Sequence, residues 1–143
     1  MKQIPDALYR QIVELMPILC VDLVIAHEGK YLLVKRKNEP SKGVWWPPGG
    51  RVWKGETIEK AARRKAKEEI GVHVRVIAPV GYYEDSWSES AFGKGKDTAT
   101  LSIVVLASTN SLKFRVDEQS ASWKWSRQLP KRFVIKPFGV FKK

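Results

Sequence analysis

The sequence predicts an α+β domain built around a mixed β-sheet, and three observations carry this. The elements run helix, two strands, helix, then several strands. The first two strands flank a four-residue turn candidate, and helices and strands do not alternate in the regular βαβ manner of an all-parallel sheet. The 143 residues, 43% of them hydrophobic and free of repeats or low-complexity tracts, fit one domain spanning 1–143.

Pro5–Leu15 has Leu8, Ile12 and Leu15 at helical spacing, Asp6 near its start and Pro17 to end it. Ile18–Ala26 and Tyr31–Lys35 read as strands around the turn His27-Glu28-Gly29-Lys30. Asn38–Gly43 is loop, Val44-Trp45-Trp46 is apolar, and Pro47-Pro48-Gly49-Gly50 is expected to break any regular element. A helix follows over Thr57–Ile70, closed by Gly71 at the usual C-terminal glycine position. Val72–Val80 and Tyr82–Trp87 read as two strands, and Ser88–Asp97 as a polar loop. Thr98–Ala107, the longest β-rich run, is the expected central strand. Ala121–Trp125 supplies one more, and Lys131–Lys143 is a basic tail.

A net charge of +11 favours anionic partners, either phosphorylated small molecules or nucleic acid. The six tryptophans are not interleaved with basic clusters as a stacking platform requires, so nucleic acid is the disfavoured partner. The lone Cys20 excludes an internal disulfide, and its apolar run predicts a buried, inert thiol. No stretch approaches a membrane span, the N-terminus lacks a signal-peptide pattern, and a reducing cytoplasm is the expected compartment.

Stepping about 100° per residue along Thr57–Ile70 puts Ile58, Ala61, Ala62, Ala66 and Ile70 on one packed face. Glu69 falls near the middle of that face, with Lys65 one turn earlier and Glu68 at its edge. A buried carboxylate is costly unless it is paired. Two arrangements satisfy it: a self-contained Lys65–Glu69 pair, or Glu68 and Glu69 facing a cleft and binding a hard cation through oxygen. The preceding Pro-Pro-Gly-Gly loop, rigid and then permissive, suits a phosphate-and-metal cradle.

Gly50, Glu56, Arg64, Glu68, Glu69, Gly71 and Val72 match, in register, the Nudix box G-x5-E-x7-R-E-U-x-E-E-x-G-U. The chain therefore resembles the Nudix hydrolases, which implies an α/β/α sandwich with a mixed sheet and a Mg²⁺-dependent (or Mn²⁺-dependent) site. Two positions depart: Lys65 stands where the box has a glutamate, and Ala66 where it has a larger apolar residue. Over roughly Pro17 to Trp125 the chain resembles the GDP-mannose mannosyl hydrolase branch. That branch also lacks this glutamate and cleaves the sugar C–O bond of a nucleotide sugar.

The resemblance implies Gly50 (through its carbonyl), Glu69 and Gln119 as metal ligands, with Glu68 beside them. It implies Asp22 facing the substrate, and Arg36, Arg51 and Arg64 neutralising the diphosphate by guanidinium forks. The branch's general-base histidine is Ser120 here, which leaves Glu118, Glu84 or Asp85 to activate water. The resembling branch is dimeric, and the apolar N-terminal helix offers an interface for a homodimer. The expected function is hydrolysis of a nucleoside-diphosphate derivative, foremost a GDP-mannose-like nucleotide sugar. A nucleoside di- or triphosphate pyrophosphohydrolase and a catalytically weak nucleotide-binding domain are the alternatives.

Overall fold

A computed structural model describes residues 4–38, 41–90, 92–116 and 120–139. The elements are α1 (Asp6–Leu15), β1 (Ile18–His27), β2 (Lys30–Arg36), β3 (Trp45–Trp46), β4 (Gly49–Arg51), α2 (Ile58–Ile70), β5 (Arg75–Ser90), β6 (Gly93–Ser108), β7 (Ser120–Ser126) and β8 (Lys136–Pro137). The strand order is β3-β2-β1-β6-β5-β8, with β4 also paired to β1 and β7 to β2. The β1–β6 ladder is parallel and the others are antiparallel, so the sheet is mixed as expected.

Local signals set several elements. Glu28 (φ 47°) and Gly29 (φ 70°) both take left-handed backbone between β1 and β2, the conformation of a two-residue turn matched to strand twist. Thr57 caps α2 by accepting the Lys60 N–H, and Gly71 ends it at φ 72°. Along β1 the side chains alternate between faces. Val21, Leu23 and Ile25 join Ala61, Ala62, Ala66 and Ile70 of α2 in the larger core. Val24 packs on the opposite face with Trp46, Tyr83, Val104 and Phe133. Helix α1 borders that second side, where Tyr9 and Val13 line the same cleft as Asp22 and Tyr83.

Four expectations change. Gly49-Gly50-Arg51 does not break the regular structure but forms β4, pairing Asp22 with Gly49, Val21 with Gly50 and Cys20 with Arg51. Only a glycine fits at position 49, since a β-carbon there would run into the Val21 carbonyl and the Asp22 carboxylate. Residues 72–87 do not give two strands. Irregularities after Val76 and after Pro79 let one strand, β5, carry Pro79 in its middle. The expected loop at 88–97 is largely ladder, with Glu89 opposite Lys94 and Ser90 opposite Gly93. The basic tail contributes β8, which pairs with Gly81 and Tyr82. Strand pairing supplies partners that no local pattern announces.

Candidate metal and diphosphate site

Helix α2 and strand β4 meet at the Nudix-box residues. Lys65 and Glu69 are each only 7% exposed, and the lysine Nζ lies 2.8 Å from Glu69 Oε1 and 3.4 Å from Glu68 Oε2. The other Glu69 oxygen accepts the Gly49 backbone N–H at 3.0 Å. Of the two arrangements left open by helical spacing, the Lys65–Glu69 pair forms, and it lies on the wall of a cleft. Burial works against the lysine's charge, but the two glutamates outweigh it and hold its pKa above the ordinary lysine value.

That cleft encloses about 760 Å³ and is bordered by Gly50, Arg51, Arg36, Asp22, Glu68 and Glu69, among others. Residues drawn from β1, β2, β4 and α2 therefore converge. Arg36 is half-buried beside a ladder irregularity in β2. Arg51 places its guanidinium 4.1 Å from the Tyr9 ring centroid. Glu118 and Gln119 lie outside the described residues.

Arg64 is differently engaged. Its Nε and Nη2 both donate to Glu56 at 2.8 Å, Nη2 also donates to the Arg51 carbonyl at 2.9 Å, and Nη1 donates to Glu68 at 3.1 Å. Its guanidinium also stacks 3.9 Å from the Trp53 centroid. At most one of its five N–H groups remains for a ligand. Its fork ties α2 to the β4–α2 loop. The bonds from Arg64, chiefly, hold the Glu56 carboxyl below the usual glutamate range.

Among the described residues, no three His, Cys, Asp or Glu side chains converge into a metal cluster. The residues present still fit Mg²⁺. Glu68 and Glu69 supply hard oxygen donors, and Gly50, with no β-carbon, leaves room for the end of Lys65 between them. Mg²⁺ is commonly held by one or two carboxylates, with waters and substrate phosphates completing its shell.

A second group of polar residues surrounds Asp22. The Tyr83 hydroxyl donates to Asp22 Oδ2 at 2.6 Å and accepts the Trp46 indole N–H at 3.2 Å, and Ser102 also bonds the carboxylate. Burial, with a smaller push from Glu69, raises the Asp22 pKa to about 6 against these hydrogen bonds. The proton bound more tightly in the folded state gives stability that is full below the ordinary Asp value and lost as pH rises through about 6. Asp22→Asn removes this linkage. By denaturant titration, its stability relative to the parent should rise by about 2 kcal/mol between pH 4 and pH 8. A pH-independent difference would show that Asp22 ionises normally.

Tyr83, Ser102 and Trp46 are site residues that local sequence patterns did not isolate. Period-two alternation was the available signal, for it separates Glu84 from Tyr83 and Asp85. Glu84 lies on the exposed face, 2.6 Å from Lys136, and so is withdrawn as a candidate base. Asp85 borders the cleft and pairs with Arg132 at 2.7 Å. Cys20 is half-buried on the cleft wall, less enclosed than expected. Burial pushes its thiol up to about 12, so it stays protonated and inert. No helix among the described residues is long and apolar enough to cross a membrane.

A capped helix bearing paired glutamates against a glycine strand, on a mixed sheet, is the arrangement of a Nudix domain. The chain belongs to that family: the NUDIX domain model matches residues 16–128. One curated relative is the low-salt glycan biosynthesis protein Agl8 of Haloferax volcanii, 46% identical over 88 residues, covering 62% of this chain and 56% of that protein. Another is the ADP-ribose pyrophosphatase of Methanocaldococcus jannaschii, 46% identical over 69 residues, or 48% of this chain and 41% of that one. The matched stretches thus span about half the length of these relatives. Among solved structures, the MutT protein of Methanosarcina mazei superposes with a TM-score of 0.65 at 22% identity, over 77% of each chain. A MutT NUDIX hydrolase from Burkholderia pseudomallei gives 0.62 at 28% identity, over 81% of this chain and 88% of that one.

Proposed function

We propose that this protein is a Mg²⁺-dependent hydrolase of a nucleoside-diphosphate derivative, and that the substrate is a nucleotide sugar of the GDP-mannose type. The observation carrying this reading is a single cleft that joins paired glutamates and a bare glycine to Arg36, Arg51 and the enclosed Asp22. The relatives' names agree in kind, since one is assigned to glycan biosynthesis and the other acts on ADP-ribose, a nucleoside diphosphate joined to a sugar.

Gly50, Glu68 and Glu69 would hold the metal, together with Gln119. An ion held there would supply charge neutralisation on the diphosphate. Arg36 and Arg51 bind the same phosphates, so that negative charge developing on the leaving group is met by fixed cations. Water adds to the anomeric carbon, the sugar C–O bond breaks, and its electron pair leaves with the nucleoside diphosphate. In the described part of the cleft, Glu68 and Glu69 are paired with Lys65, and Asp85 with Arg132. The water's proton is therefore assigned to Asp22, whose contacts are neutral hydroxyls and whose pKa of about 6 suits a base near neutral pH.

The half-exposed Glu68 carboxylate favours a second reading, metal-assisted attack on phosphorus, because a second acidic group at the metal supports phosphoanhydride cleavage. Turnover of a nucleotide-sugar panel in H₂¹⁸O with Mg²⁺ separates the two. Label in the released sugar is the expected result, and label in phosphate establishes P–O cleavage. Nucleotide-sugar binding without turnover across the panel would leave a binding domain in place of an enzyme.

A further inference from the structure

Lys65 sits where the family's box carries a glutamate, and its surroundings are those of a bound cation. Its ammonium touches Glu69 at 2.8 Å and Glu68 at 3.4 Å. A β-carbon on Gly50 would approach Lys65 Cε to 2.8 Å and Nζ to 3.2 Å, so the space left by that glycine is taken up by the end of the lysine. The groups that surround the ammonium are thus the ones that would ligate a metal ion. We infer that Lys65 is a tethered counter-cation that competes with the divalent ion for Glu69 and sets the affinity of the site for metal.

The physical argument has three parts. Without metal, Glu69 is buried, and removing the cation paired with a buried carboxylate is destabilising, so the lysine stabilises the metal-free fold. A carboxylate oxygen donating to Mg²⁺ at about 2.1 Å cannot keep an ammonium at hydrogen-bond distance on the same side, because the two cations repel at close range. The lysine's flexible four-carbon stem lets the ammonium move aside, toward Glu68 or a substrate phosphate oxygen, without moving α2. Metal entry therefore exchanges one cation for another at Glu69. The site is assembled before metal arrives, at the expense of binding it less tightly.

The inference rests on the metal reading above, and the test separates the two. Mn²⁺ binding is measured by calorimetry on the parent and on Lys65→Met, alongside thermal melts in EDTA and in Mn²⁺. Lys65→Met should bind Mn²⁺ about tenfold more tightly, in line with the usual effect of groups that touch metal ligands. It should also melt lower than the parent in EDTA and recover when Mn²⁺ is added. Equal or weaker Mn²⁺ binding by the variant overturns the competition, even while the parent's own binding upholds the metal site. Absence of binding in both proteins overturns both readings. Should Lys65→Met fail to fold, the parent labelled with ¹³C-lysine answers the question. The Lys65 Cε resonance should shift on titration with Mg²⁺, and a signal unmoved at saturating Mg²⁺ refutes the displacement.

Discussion

Glu69→Gln is expected to lower Mg²⁺-dependent turnover by at least about a hundredfold while the protein stays folded, on the scale seen when groups that support a metal are altered. Glutamine has the shape of the original side chain and keeps one carbonyl oxygen to accept the Gly49 N–H. It loses the negative charge that makes Glu69 both a partner for Lys65 and a hard ligand for Mg²⁺. The fold should tolerate this, because Glu68 remains within reach of the lysine. Circular dichroism and steady-state kinetics with added Mg²⁺ check the two halves separately. Parental turnover in a folded Glu69→Gln protein would place the metal elsewhere.

Arg64→Ala should lower stability by about 1–3 kcal/mol, between the values for an exposed ion pair and a fully buried one. The arginine side chain is 17% exposed and its partner Glu56 9%, so the pair is partly withdrawn from water. Alanine would leave Glu56 with the Trp53 N–H as its remaining protein donor, and would strip the Arg51 carbonyl and the Trp53 ring of their contacts with the guanidinium. The sign with pH is fixed by Glu56, whose pKa is depressed in the folded state. Its contribution is present above the ordinary glutamate range and lost as pH falls through the folded value. Urea titrations should therefore show the deficit of Arg64→Ala at neutral pH and a smaller one in acid. Arg64→Lys should fall between, since an ammonium keeps the charge but cannot form the fork. A neutral-pH deficit below about 1 kcal/mol, the scale of an exposed pair, would show that the network contributes little to stability.

Both predictions rest on residues that the box spacing singled out, though the structure altered their parts. Arg64 was expected to meet phosphate; four of its five N–H groups are engaged with Glu56, Glu68 and the Arg51 carbonyl, and one remains for a ligand. Lys65 read as a departure from the pattern, and it proves to occupy the centre of the glutamate pair. Helical periodicity could place Glu69 on a buried face, yet it could not tell whether that face met packing or a cleft. The answer depends on β4, which reaches α2 only by pairing with β1.

The sequence by itself determined what depends on neighbours a few residues away. The α2 cap and its glycine stop, the turn at Glu28–Gly29 and the relative placement of Glu56, Arg64, Glu68 and Glu69 follow from local dihedral preference and helical spacing. Tertiary structure decided what depends on pairing across distance. Asp22 meets Tyr83 across 61 residues of chain, and the Pro-Pro-Gly-Gly segment becomes a strand edge only because β1 lies beside it. The basic tail likewise becomes a strand only because Gly81 and Tyr82 of β5 offer it a partner. Such contacts are selected by the closing of the whole sheet, where each strand's free N–H and C=O groups must find partners, and no short window of sequence holds that information.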